Sequence, residues 1–150
     1  VAEVLYPKDI YDLIDWICQE EGERAFQGRK GYNTWQEGFI ALCHAVIENQ
    51  AFILGVYRSV QREQVENYLG RVVYRLLLDV VEELSQPYSL SEQDRAYITN
   101  FYKHAFVGVM LDWVRDGMQA PPEEVVGRVS LMTRGQLLLA IQNLAAHPLP

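Results

Sequence analysis

Between Ala105 and Val114 the chain reads as an apolar run broken only by Gly108 and Asp112. The surrounding spacing predicts a helix that extends to about Met118. A helix on the surface of a monomer keeps a polar face, and this one has none. Ala105, Val109 and Trp113 form one stripe, while Val107, Leu111, Val114 and Met118 form a second on roughly the opposite side. One stripe can bury against the domain's own core; the other needs a different cover. The closing segment has the same surplus. Val126, Val129, Leu137, Ala140, Ile141 and Leu144 lie on one side, and Leu131, Gly135, Leu138 and Ala145 on another. Two consecutive antiparallel helices, each with a spare apolar stripe, suit a two-fold contact in which four helices pack as a bundle. Gly108 and Gly135 would allow close backbone approach. The expected interface is therefore His104, Val107, Leu111, Val114, Met118, Leu131, Gly135 and Leu138 of a homodimer. The competing arrangement encloses the run inside one subunit, but a bundle of this size has few wholly central helices.

Helical periodicity recurs along the rest of the chain, and no stretch sustains strand alternation. Ile10, Leu13, Ile14, Ile17 and Cys18 share a face after Pro7 and Asp9, which suit a first helical turn. Gly28, Gly31 and Asn33 mark a loop. Thr34 and Glu37 form a capping-box pair before Phe39, Leu42, Cys43, Val46 and Ile47. Glu48-Asn49-Gln50 interrupts that helix, and a short apolar segment, 51–60, follows. A long helix, 62–84, ends at Pro87. Ser89 or Ser91 caps the next, and Pro121-Pro122 opens a last one that runs to about Ala146. The expectation is a single all-α domain, a bundle of five or six helices that dimerises through its last two.

Twenty acidic residues against 13 basic ones give a formal charge of -7, which argues against this segment gripping nucleic acid or an anionic membrane surface. No apolar run approaches the ~18 residues of a membrane span. Two cysteines without a CxxC spacing read as buried thiols in a reducing cytoplasm.

No catalytic signature is present: there is no GxGxxG, Walker lysine loop, GxSxG or HExxH. Cys43 and His44 are adjacent on a helix, so their side chains point about 100° apart and do not meet. Glu37, His44 and Glu48 share a face, but three such residues on one helix read as a solvated polar stripe, not a metal site. Neither enzyme activity, a metal nor a cofactor is expected. Tyr57, Tyr68, Tyr74, Tyr97 and Tyr102 sit within or beside apolar stripes. Several of them converging would line a cavity with apolar walls and polar tips; singly, they are core tyrosines reaching solvent. Arg75 either pairs with Asp79 one turn on or anchors an anion at a pocket edge.

The stretch 101–118 resembles the penultimate helix of TetR-family transcriptional regulators, in particular the branch that includes the activator of dihydroxyacetone kinase operons. That likeness rests on Phe101-Tyr102, Ala105, Gly108, Trp113 and Gly117-Met118. Residues 8–17 resemble the family helix that joins the DNA-binding head to the sensory body. The resemblance implies an effector-binding and dimerisation domain over residues 7–150, with residues 1–6 as a remnant of a helix-turn-helix head otherwise missing from this chain. It implies a cytoplasmic homodimer that reaches DNA through that head and answers a small-molecule or protein effector. Trp16 and Ile17 would lie on the lever, and Tyr57, Tyr74, Arg75, Tyr102 and Phe106 would line the ligand pocket. The alternative is a helical protein–protein interaction module without a small-molecule pocket.

Overall fold

Pro87 cannot continue a helix and Ser91 starts one well, so the chain doubles back between them. The computed structural model describes residues 34–59 and 62–148. They form six helices: α1 (Trp35–Glu48), α2 (Gln50–Tyr57), α3 (Arg62–Ser85), α4 (Glu92–Arg115), α5 (Pro122–Thr133) and α6 (Gln136–Ala146). No strand occurs among the described residues, and no single helix there is long and apolar enough to cross a membrane. The expected opening helix, its Trp16 and Ile17, the loop at Gly28 and the division at residues 6/7 lie outside the described residues.

Helices α3 and α4 have 24 residues each and make the most extensive contact among the described residues. The short connection between them makes the pair antiparallel. Ser91 caps α4 as expected, its hydroxyl accepting from the Asp94 amide at 3.0 Å. At the other end Gly117 adopts φ +78°. The Gly117 and Met118 amides return to the carbonyls of Val114 and Trp113, both at 2.9 Å. This closure satisfies the last carbonyls and ends the helix. The Trp113 indole N–H donates to the Ala120 carbonyl at 2.8 Å, tying α4 to the approach of α5.

Around this pair, α1 packs on α5 and α3, α2 lies against α3 and α4, and α6 rests on α3 and α4. The expected break at Asn49 is a bend of 83° between α1 and α2, and the Asn49 amide side chain donates to the Ala45 carbonyl at 2.9 Å. Long side chains bridge where backbones stand apart. The Phe106 ring of α4 meets Phe39 edge-on at 5.4 Å and Trp35 at 5.7 Å. Leu76, Leu77, Val73, Val80 and Val81 of α3 complete the core with Met110, Val114, Val126 and Ile141.

Three local expectations differ from the structure. Thr34 makes no side-chain capping hydrogen bond to α1. The final helix is two helices, because Gly135 takes φ +75° between α5 and α6, a left-handed conformation that glycine reaches without a Cβ clash. The third concerns α4, which is not apolar all round. Phe106, Val107, Met110, Trp113 and Val114 are all buried, and at 100° per residue they span one arc of about 120°. Val107 and Val114 thus share the core face with Trp113 instead of opposing it.

Phe106→Ala is expected to cost about 3–5 kcal/mol in urea unfolding, because it empties the centre of the aromatic cluster. Trp113→Phe keeps an aromatic ring near α5 but loses the donor to Ala120 and part of the indole's volume, and should cost about 1–3 kcal/mol.

Candidate functional site

Among the described residues, a groove brings together two of the five residues expected to line a pocket, Tyr74 and Arg75. Phe106 is at the centre of the core, 2% exposed. Tyr57 is buried at the end of α2, where its hydroxyl accepts from Arg115 Nε at 3.3 Å and its ring lies 4.8 Å from the Arg62 guanidinium. Tyr102 is half-buried, edge-on to Phe101 at 5.4 Å, and burial raises its phenol pKa above the usual value. Among the described residues Tyr74 and Arg75 stand together at an opening.

That opening is a groove of about 760 Å³ on the outer side of the α3–α4 seam. Glu66, Asn67, Gly70, Arg71, Tyr74, Arg75 and Leu78 form its α3 wall. Lys103, His104, Val107, Gly108 and Leu111 form the α4 wall. The two helices meet where Lys103 Cδ lies over Gly70, 4.0 Å from where a Cβ would stand. Sequence reasoning reached Tyr74, Arg75 and His104 but passed over Arg71 and Lys103. Their signal is helical phase: Arg71 and Arg75 are one turn apart, on the flank of α3 beside its buried stripe.

The residues expected at a dimer interface divide into three groups. Val107, Val114 and Met118 are 9%, 0% and 8% exposed and belong to the chain's own core. Leu111 and Leu138 are half-buried, while His104, Leu131 and Gly135 are exposed. Among the described residues the large apolar side chains left in solvent are Tyr97 (73%), Phe101 (66%), Leu131 (68%), Met132 (67%) and Leu139 (51%). All five lie on α4, α5 and α6. The spare apolar surface therefore belongs to the closing helices, but on α4 it is the Tyr97–Phe101–Ala105 side that is exposed. The close approach expected at Gly108 and Gly135 is not used within the subunit, since a Cβ at either would meet nothing within 4 Å.

Two other polar features have structural explanations. His44 Nε2 stands 3.1 Å from Glu123 Oε1, linking α1 to the first turn of α5. Glu123 has a lowered pKa, first through its own backbone amide at the helix start and then through His44. Cys43 is fully buried beside it; burial, and secondarily the Glu123 charge, push its thiol up to about 12. Such a thiol stays protonated at neutral pH and is a poor nucleophile.

Native-state iodoacetamide labelling at pH 8 should therefore leave the Cys43 peptide unmodified, and labelling in 6 M urea should modify it fully. Glu123, with its depressed folded-state value, stabilises above the ordinary carboxylate range, and that contribution is lost as pH falls through the folded value. Glu123→Gln should lower the Tm slightly at pH 7, and the difference should shrink as pH falls through the folded-state value.

No curated protein matches this chain. The family model described as the transcriptional regulator C-terminal region, of the TetR type, matches residues 33–135. That span runs from the start of α1 to the Gly135 turn, covers more than half of the chain, and includes both walls of the groove and most of the exposed apolar face. The chain belongs to the family of TetR-type transcriptional regulator C-terminal regions.

Proposed function

We propose that this domain is the dimerising, effector-responsive body of its regulator, working with a helix-turn-helix head on its N-terminal side. The observation that carries the reading is that, among the described residues, the large exposed apolar side chains lie on α4, α5 and α6. An apolar area of this kind, drawn from consecutive helices, marks an interaction surface. The occupant is a second copy, because a two-fold contact pairs the same face with itself and leaves no open edge. Burying such side chains from two subunits contributes on the order of 10 kcal/mol, which meets an association cost of about 4–15 kcal/mol. The interface on this reading centres on Tyr97, Phe101, Leu131, Met132 and Leu139, with His104, Gly135 and Leu138 beside them.

Dimerisation supplies what DNA recognition by this family requires: two heads held at a defined half-site separation. An effector acts on such a body only by binding two of its arrangements with different affinity. The likeness of residues 101–118 to the activator of dihydroxyacetone kinase operons supports placing the chain in that branch, where a protein can serve as effector. Work on DNA places the protein in the cytoplasm.

Sedimentation equilibrium at micromolar concentration should give a dimer. Leu131→Glu, at a solvent-exposed position, should shift it to monomer by at least a hundredfold in dissociation constant while far-UV circular dichroism stays unchanged. A monomeric native protein would overturn the reading.

A further inference from the structure

The groove on the α3–α4 seam has a charge opposite to that of the chain. Acids outnumber bases by 20 to 13 in the sequence, yet among the described residues that line the groove the cations Arg75 and Lys103, with Arg71 beside them, stand with one carboxylate, Glu66. Arg71 and Arg75 occupy neighbouring turns of one wall, and like charges so placed repel by a few tenths of a kcal/mol. Arg75 does not pair with Asp79. Among the described residues Arg75, Lys103 and His104 have no hydrogen-bond or ion-pair partner.

The backbone adds a second, independent observation. Gly70 and Gly108 stand inside the two long helices, one in each wall, where glycine costs about 1 kcal/mol relative to alanine. A Cβ on Gly108 would meet nothing within 4 Å, and one on Gly70 would only touch the Lys103 stem at 4.0 Å. Packing among the described residues requires neither glycine. Both keep the groove open, with Tyr74, Val107 and Leu111 offering apolar surface beside the cations.

We propose that this groove binds a small organic anion, a carboxylate or phosphate head held between Arg75 and Lys103 and an apolar body lying on Val107 and Leu111. A volume of about 760 Å³ falls within the ~300–1,000 Å³ usual for small-molecule sites. The inference rests on the sensory reading only for its consequence, that the anion is the effector.

Titration calorimetry on the whole chain, with sodium octanoate and inorganic phosphate as probes, tests it. Octanoate should bind at one site per chain, and phosphate, which has no apolar body, at least tenfold more weakly. Arg75→Ala and Lys103→Ala should each weaken octanoate tenfold or more. Gly108→Leu should fill the groove and abolish binding while raising the Tm, since it removes a glycine from a helix interior. Sedimentation of the same samples separates this proposal from dimerisation. A monomeric native protein that loses octanoate in Gly108→Leu leaves the groove assignment standing and overturns the dimer. Native protein that binds neither probe, or that loses octanoate in Phe101→Glu but not in the groove variants, overturns the anion site. A Gly108→Leu variant that is monomeric yet binds octanoate normally overturns it too.

Discussion

The antiparallel packing of α3 on α4 is the contact on which the remainder of the molecule rests. Each helix is 24 residues long, about 36 Å at 1.5 Å per residue, and α1, α2 and α6 all find their places against one or both. Phe106 is the pivot. Its ring reaches Phe39 and Trp35 of α1, so an element whose backbone lies mainly on α5 and α3 is still locked to α4 through side chains. Removing that ring would loosen α1 from α4, and its cost is set by cavity formation and not by surface loss alone.

The same packing creates both proposed surfaces. Turning Phe106, Val107, Met110, Trp113 and Val114 inward leaves the opposite side of α4 bearing Tyr97, Phe101 and Ala105. The flank between those two sides faces the groove. One helix thus presents three chemically different strips: a core arc, a mixed cationic flank and an apolar exposed side. His104 and Gly108 sit where the flank meets the exposed side. An anion in the groove and a second subunit on the apolar side would therefore touch neighbouring residues of one rigid helix, a short physical path between ligand and assembly.

Much of this was legible from local chemistry. The all-α class, the breaks at Asn49 and Pro87, the Ser91 cap and the proline start of α5 follow from turn and capping residues whose effect is confined to a few neighbours. The end of α4 was read less well: the periodicity runs to about Met118, while the helix stops at Arg115 and Gly117 closes it. Thr34 failed as a capping residue because a cap needs a particular backbone angle as well as a hydroxyl. The break at Gly135 was missed because an isolated glycine inside a periodic pattern is compatible with either a continuous helix or a left-handed turn.

What the residue order determined, then, was how much apolar surface the closing helices carry and where each helix begins and ends, since both depend on composition and on contacts a few residues apart. Which arc of α4 turned inward was decided only in the folded chain. Rotating a helix about its axis exchanges Val107 and Val114 for Tyr97 and Phe101 at little local cost, and the choice is made by the volumes that Phe39, Trp35 and α3 offer from elsewhere. The groove arose in the same way: Arg75 and Lys103 are 28 positions apart in the chain, and only the packing of two helices sets them on facing walls.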